Sequence, residues 1–196
     1  MGRTASAHRL TAETEVSCSI DLDGKGISRI DTGIGFLDHM LTLFSKHGLF
    51  DLTIQAKGDL YVDCHHTVED VGIVLGGVIK DALGDKYGIT RYGSCLLPMD
   101  ETLVQTALDL SGRPYLVYHA DFDKERIGEL DTEMIHEFFY AITYTCGMNL
   151  NIRVLDGENS HHMAEAMFKS FGRALRMAVT VDPRVEGVPS TKGSLS

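Results

Sequence analysis

The chain has 196 residues, of which 43% are hydrophobic and 23% charged, and its formal net charge is −10. These values are typical of one large globular domain or two fused small ones, and the acidic balance disfavours nucleic acid as a partner. No apolar run approaches the roughly 20 residues of a membrane-spanning helix, so we expect no membrane partner either.

The cysteines and the first ten residues indicate a reducing compartment. The four cysteines are widely spaced and form no Cys-x-x-Cys pair, which favours reduced, packed thiols over a disulfide framework or a zinc knuckle. Residues 1–10 lack the apolar stretch of a secretory signal. We therefore expect a cytoplasmic protein, or a plastid one if a transit peptide has been removed.

Hydrophobic periodicity predicts strands and helices in the first half of the chain. The turn residues Asp23-Gly24 are expected to let the second strand pair back on the first. The predicted strands are Thr11–Asp23, Ile27–Asp31 and Phe50–Ala56, and the predicted helices are Gly35–Lys46 and Thr67–Leu83.

The second half repeats this plan and ends in a tail. The tail, residues 182–196, is rich in Pro, Gly and Ser, which indicates either a disordered end or a loop that a ligand orders. The predicted strands are Thr102–Asp109, Tyr115–Ala120 and Asn149–Leu155, and the predicted helices are Glu133–Thr145 and His162–Val179.

An internal duplication explains the repeated order of strands, helix, strand and helix. The block His-His-x-x-Glu occurs at residues 65–69 and again at 161–165, and each copy follows a single histidine, His39 or His136, at nearly the same distance. We predict an α/β fold of two similar halves, residues 1–92 and 93–181, with residues 182–196 as a tail closing over substrate. Together they should form one compact unit.

The two matched blocks predict a pair of metal ions. Within a block the first histidine and the glutamate are four residues apart and share one helix face, whereas the adjacent histidine is turned by about 100° and reaches a different ion more easily. Two ligand sets follow: His65, Glu69, His161 and Glu165 for one ion, and His39, His66, His136 and His162 for the other.

The donor types suit Mn²⁺, Fe²⁺ or Zn²⁺, and six-coordination with open positions leans toward Mn²⁺. Asp63 and Asp70 are candidates for orienting the imidazoles. A single histidine in an apolar helix usually just packs, so His39 and His136 are supported as ligands only by the matched blocks. His47 lies at a helix end, where capping is the simpler explanation and substrate contact the alternative.

A weaker set of residues indicates an anionic substrate. Arg91 and Arg113 lie in predicted turns, Lys169 lies on the last helix, and Ser190 and Lys192 lie in the tail. Arginine forks and backbone amides are natural phosphate partners, although each of these side chains alone is more often a solvated surface group.

At these residues the sequence closely resembles the imidazoleglycerol-phosphate dehydratase family of histidine biosynthesis. The likeness runs from about Arg9 to Leu195, and the two His-His blocks are its most specific part. The matching stretches are Gly33–Met40, Asp63–Asp70, Asp109–Pro114 and Asn159–Lys169.

The resemblance implies two similar α/β halves, each a small mixed sheet backed by two helices, as in domain 2 of ribosomal protein S5. It also implies a 24-subunit shell with metal sites at subunit contacts, and two Mn²⁺ per active site held by the two ligand sets given above. The residues expected to contact substrate are Glu13, His39, His47, His65, Glu69, Arg91, Arg113, His161, Lys169, Ser190 and Lys192.

The implied reaction converts D-erythro-imidazoleglycerol phosphate to imidazole acetol phosphate and water through a metal-bound imidazolate. A carboxylate must move protons, and Glu165 is the first candidate, followed by Glu69 and Glu13. Two alternatives remain open: a metal-dependent hydrolase of a phosphorylated substrate, and a metal-storage or sensing protein that needs no phosphate-binding arginines.

Overall fold

The computed structural model describes residues 2–195, in which two four-stranded mixed sheets enclose four α-helices. Met1, the first residue of the predicted first half, and Ser196, the last residue of the predicted tail, lie outside the described residues. The first half contains β1 (Thr4–Leu10), β2 (Thr14–Asp21), β3 (Ser28–Asp31), α1 (Gly35–Gly48), β4 (Asp51–Gly58) and α2 (His65–Leu83).

The second half repeats this order and inserts one small hairpin. It contains β5 (Tyr92–Met99), β6 (Thr102–Asp109), β7 (Tyr115–His119), the hairpin β8 (Arg126–Ile127) and β9 (Leu130–Asp131), α3 (Glu133–Cys146), β10 (Asn149–Asp156) and α4 (Ser160–Val179).

Both sheets have the same topology. Their strand orders are β1-β2-β4-β3 and β5-β6-β10-β7, and in each sheet only the last pair is parallel. A parallel pair needs a crossover connection, and α1 and α3 supply it in the two halves. The shared order and strand directions confirm the predicted fold of two similar halves.

The pairing predicted for residues 27–31 is wrong. β3 does not fold back on β2; it pairs with β4, with Ser28 opposite Leu52, because α1 carries the chain over to the far edge of the sheet. The sequence patterns also missed β1 and β5. Both are edge strands with one exposed face, and β5 contains Pro98, which an edge strand tolerates.

The four helices lie between the two sheets and pack across the halves, α1 against α4 and α2 against α3. Glycines let the helices approach closely. A Cβ added to Gly76 would lie 2.8 Å from the carbonyl oxygen of Ile142, and one added to Gly172 would lie 2.7 Å from that of Phe44. Because later residues of one helix meet later residues of its neighbour, the helices of each pair run parallel.

Phenylalanines fill the space where the helix pairs meet. The ring of Phe171 on α4 stacks on Phe44 of α1 at 5.3 Å and meets Phe139 of α3 edge-on at 5.5 Å. All three side chains are at most 1% exposed, so burial of the two halves against each other is a major source of stability. No helix of residues 2–195 is long and apolar enough to span a membrane.

Candidate metal centre

The start of α4 fixes the second His-His block. The Asn159 side chain accepts hydrogen bonds from the backbone N–H groups of His161 (2.9 Å) and His162 (3.4 Å), as an N-cap residue does. The helix therefore begins at Ser160, two residues earlier than predicted, so His161 and Glu165 lie one turn apart on the same face.

The start of α1 places His39 beside this face. The Asp38 carboxylate accepts hydrogen bonds from the backbone N–H of Thr32 (2.9 Å) and from its hydroxyl (2.6 Å), which anchors the first turn of α1. Because α1 runs parallel to α4 and close to it at Gly172, His39 projects toward Glu165 from the neighbouring helix.

These elements bring together His39, Glu165 and His161. Oε1 of Glu165 lies 2.7 Å from Nε2 of His39 and 3.0 Å from Nε2 of His161. Lys169, one further turn along α4, donates to Oε2 at 2.5 Å. Burial alone would raise the pKa of Glu165, but the hydrogen bonds from Lys169, His39 and His161 outweigh it and lower the pKa to about 2. Glu165 is therefore an ionised carboxylate at neutral pH and accepts all three hydrogen bonds.

The cluster fits a divalent cation. One ligand atom from each of the three residues lies within 4.8 Å of the other two, and imidazole nitrogen with carboxylate oxygen is the donor set of Mn²⁺, Fe²⁺ and Zn²⁺. A cation bound between these atoms would replace the two hydrogen bonds that Glu165 forms with the imidazoles. Within residues 2–195 this is the only such group of three or more donors.

The predicted ligand partition is therefore not assembled in one chain. His39 and Glu165 were assigned to different ions, yet they are in contact. His65 and Glu69 lie in the first turns of α2, both partly exposed, on the other helix pair. His136 lies on α3 of that same pair. The two four-residue sets remain predictions that depend on contacts between chains.

Three other predicted ligands each contact a carboxylate through the same ring nitrogen. Nδ1 of His66 lies 3.0 Å from Asp59, Nδ1 of His162 lies 2.9 Å from Glu101, and Nδ1 of His136 lies 2.9 Å from Glu137. The hydrogen bond to Asp59 raises the pKa of His66, and that to Glu101 raises the pKa of His162.

The orienting role predicted for Asp63 and Asp70 is wrong. Asp63 accepts a hydrogen bond from the backbone N–H of His65 at 2.8 Å and so stabilises the first turn of α2. Asp70 is buried and accepts hydrogen bonds from Arg9 and Thr14, which joins α2 to the first hairpin. Of the carboxylates that do contact imidazoles, Glu137 is next to His136 in the chain, Asp59 is seven positions from His66, and Glu101 is 61 positions from His162.

Two further predicted substrate contacts lie at different helix pairs, His47 near the cluster and Glu13 beside His66. His47, near the end of α1, has its pKa lowered by burial and by the nearby cations Lys169 and Arg173, so it is a neutral imidazole beside positive charge. Glu13 lies in the exposed turn between β1 and β2, and its carboxylate is 3.9 Å from Nδ1 of His66.

Arg91 lies at the opposite end of α4. Its backbone N–H donates to Ala178 near the last turn of that helix, at 2.8 Å. Its guanidinium donates to both carboxylate oxygens of Asp109, at 2.7 and 3.1 Å, and to the carbonyl oxygen of Pro189 in the tail, at 2.9 Å. Arg91 thus holds the tail at a site remote from the histidine cluster.

The other predicted phosphate contacts lie on the surface. Arg113 and Lys192 are exposed and Ser190 is partly exposed; the Ser190 hydroxyl accepts a hydrogen bond from the backbone N–H of Lys192 and shapes a turn. The buried amine of Lys86 donates to the carbonyl oxygens of Leu110 (3.0 Å) and Leu195 (3.3 Å), so it fixes the tail end next to the loop that carries Arg113.

The structure adds two cations that sequence reasoning missed. Lys124 and Arg126 line an open cavity of about 680 Å³ that reaches His161 and His162. The guanidinium of Arg126 pairs with Asp131 across the β8–β9 hairpin. The strands of this hairpin have two residues each and are too short to produce a hydrophobic pattern. The closely spaced Lys124 and Arg126 were the only signal in the sequence that could have indicated this site.

Comparison with known proteins identifies the family. The family model described as imidazoleglycerol-phosphate dehydratase matches residues 32–175. The chain is 62% identical to the imidazoleglycerol-phosphate dehydratase of Lachnoclostridium phytofermentans and 58% identical to that of Acetivibrio thermocellus, over the full length of both chains in each case.

Solved structures agree with this result. The crystal structure of imidazoleglycerol-phosphate dehydratase from Staphylococcus aureus superposes with a TM-score of 0.83 at 42% identity, covering 91% of this chain and 99% of that one. The enzyme from Pyrococcus furiosus superposes with a TM-score of 0.80 at 36% identity, covering 96% and 100%. The chain therefore belongs to the imidazoleglycerol-phosphate dehydratase family.

Proposed function

We propose that this chain catalyses the loss of water from imidazoleglycerol phosphate, as a hydro-lyase of histidine biosynthesis. Family membership over the full length supports the reaction. The observation that carries the chemistry is the convergence of His39, His161 and Glu165, because two imidazole nitrogens and a carboxylate oxygen this close together suit a divalent metal.

The proposed cofactor is Mn²⁺, two ions per active site. The residues that would hold them are His65, Glu69, His161 and Glu165 for one ion, and His39, His66, His136 and His162 for the other. When bound, such ions supply Lewis acidity, which favours loss of the proton from an imidazole N–H and stabilises negative charge on oxygen.

The chain's own groups must bind the phosphate and move a proton. We assign phosphate binding to Arg91, Arg113, Ser190 and Lys192, with Lys169 close to the reacting end. Of the candidate bases, Glu165 is held ionised by three donors and its pKa of about 2 makes it a weak base, so it suits the ligand role. Glu13, whose side chain is 56% exposed in its turn, is better placed to exchange a proton with substrate.

The positions of these groups support assembly from several chains. From His161 to Ala178, which contacts Arg91, α4 rises about 25 Å at 1.5 Å per residue. A substrate made of one imidazole ring, three carbons and one phosphate is far too short to span that distance. We therefore propose that the tail end of one chain completes the metal end of another, within the expected 24-subunit shell.

We also propose a cytoplasmic location, in line with the bacterial relatives named above. The reaction is tested by incubating Mn²⁺-loaded protein with imidazoleglycerol phosphate and following both the enolisable ketone product and free inorganic phosphate. Ketone without phosphate release supports the dehydratase. Phosphate release would indicate the hydrolase instead, and metal binding without either product would indicate the storage protein.

A further inference from the structure

We infer that Asp59, Glu101 and Glu137 are positioning residues that orient His66, His162 and His136 toward one metal ion and supply its negative charge. This inference rests on the proposed metal centre. It concerns three carboxylates that are not themselves among the proposed ligands, and it follows from one hydrogen-bond pattern that occurs three times.

The pattern fixes the protonation of each ring. A carboxylate only accepts hydrogen bonds, so the ring nitrogen that faces it must carry the proton. That nitrogen is Nδ1 in His66, His162 and His136, at 2.9–3.0 Å from the carboxylate. In the neutral ring, Nε2 is then the atom with the free lone pair, and it is the atom available to a metal.

The histidines of the cluster at Glu165 behave differently. His39 and His161 meet Glu165 through Nε2, and Glu165 is a proposed ligand. His8, which is no ligand candidate, also uses Nε2 in its contact with Glu15. Hydrogen bonding through Nδ1 thus separates the three histidines from the other histidine–carboxylate hydrogen bonds of residues 2–195. Nε2 of His162 also faces a carboxylate, that of Asp100, but at 3.9 Å the two atoms are too far apart to be hydrogen-bonded.

Charge explains why the two ions would need different surroundings. An ion held by two carboxylates and two imidazoles is largely neutralised by its own ligands, whereas an ion held by imidazoles alone is not. Carboxylates behind the imidazoles supply the missing charge and raise the basicity of the rings. His66, His162 and His136 all belong to the all-imidazole set, to which Asp59, Glu101 and Glu137 would add this charge.

Burial or a second hydrogen bond fixes two of the three carboxylates, Asp59 and Glu101. The Asp59 side chain is only 13% exposed, so its contact with His66 is shielded from solvent. Glu101 holds His162 with one oxygen and accepts the backbone N–H of Asn159 with the other at 2.9 Å, which ties the histidine to the start of α4. Glu137 lies next to His136 in α3, and its side chain is more exposed (32%) than that of Asp59.

The test is a calorimetric titration of Mn²⁺ into chelator-stripped full-length protein. The variants are Asp59→Asn, Glu101→Gln and Glu137→Gln, in which an amide oxygen can still accept the hydrogen bond but the charge is gone. The matched control is Glu15→Gln, which alters a histidine–carboxylate pair outside the set. Thermal unfolding of each metal-free variant is measured beside the titration.

We expect each variant to bind one of two Mn²⁺ about 10- to 100-fold more weakly, as loss of an outer partner typically does, while the other ion and the unfolding midpoint stay as in the wild type. Of the three variants, Glu137→Gln is the one least expected to impair folding. The inference is overturned if all three variants bind both ions as Glu15→Gln does. A wild type that binds no Mn²⁺ would instead reject the metal centre itself, and with it this inference.

Discussion

Nε2 of His39 lies 2.7 Å from Oε1 of Glu165, although 126 positions separate the two residues in the chain. The contact joins α1 of the first half to α4 of the second, and it exists because Gly172 lets these parallel helices approach closely. The candidate metal centre is thus a product of the packing between the duplicated halves.

Replacing Glu165 is expected to weaken metal binding at this centre strongly. Glu165→Gln keeps the size of the side chain but removes the charged oxygen that both imidazoles contact. Since loss of even an outer partner costs 10- to 100-fold in affinity, we expect roughly 100-fold weaker Mn²⁺ binding or more. Equilibrium dialysis against Mn²⁺ measures it, with Glu15→Gln as control, and unchanged affinity would exclude Glu165 as a ligand.

Replacing Glu13 should separate proton transfer from metal binding. Glu13 lies in an exposed turn, so Glu13→Gln is expected to leave the fold and the Mn²⁺ content intact. Loss of a general acid or base typically lowers kcat by roughly 10²- to 10⁴-fold. Steady-state kinetics with parallel metal analysis provide the check, and a wild-type kcat would return Glu165 or Glu69 to first place as the base.

Two neighbouring glycines of α2 should respond oppositely to alanine. A Cβ at Gly76 would lie 2.8 Å from the carbonyl oxygen of Ile142, so Gly76→Ala overpacks the contact of α2 with α3 and should cost about 1–3 kcal/mol. A Cβ at Gly77 meets nothing nearer than 3.9 Å, so Gly77→Ala should gain roughly 0.5–1 kcal/mol in helix stability. Urea unfolding compares the two, and equal effects would contradict the close approach.

Mixing two inactive variants tests whether chains share active sites. Glu165→Gln removes the metal end and Lys192→Ala the phosphate end, which lie at opposite ends of α4 within one chain. The two variants are mixed without metal, and Mn²⁺ is then added. If each site takes its metal end from one chain and its phosphate end from another, random pairing leaves about a quarter of the sites intact, and up to about a quarter of the wild-type rate should return. No recovery would mean that each site is built from one chain.

Local patterns sufficed for most of the fold. Helical spacing predicted both ends of each of the helices α1 to α4 to within two residues, and the repeated blocks predicted the duplication that the two sheets confirm. The edge strands β1 and β5 escaped because neither contains a buried apolar side chain. The pairing of β3 was predicted wrongly. The turn residues Asp23-Gly24 indicate where the chain bends, but they do not determine which strand pairs with β3.

The candidate site was only partly accessible to sequence reasoning. The spacing of His161 and Glu165 on one helix is a local property and could be predicted. The approach of His39 to that pair, and of Glu101 to His162, depends on tertiary packing between distant segments. Local sequence signals pointed instead to Asp63, which stabilises the start of α2, and to Asp70, which forms a partly buried ion pair with Arg9.

Titrating Mn²⁺ into chelator-stripped wild-type protein, while recording ketone formation from imidazoleglycerol phosphate at each step, addresses the central claim most directly. The account predicts no turnover without metal and a rate that rises until two ions are bound per active site. Full turnover in the presence of excess chelator would contradict it, as would fully metal-loaded protein that forms no ketone.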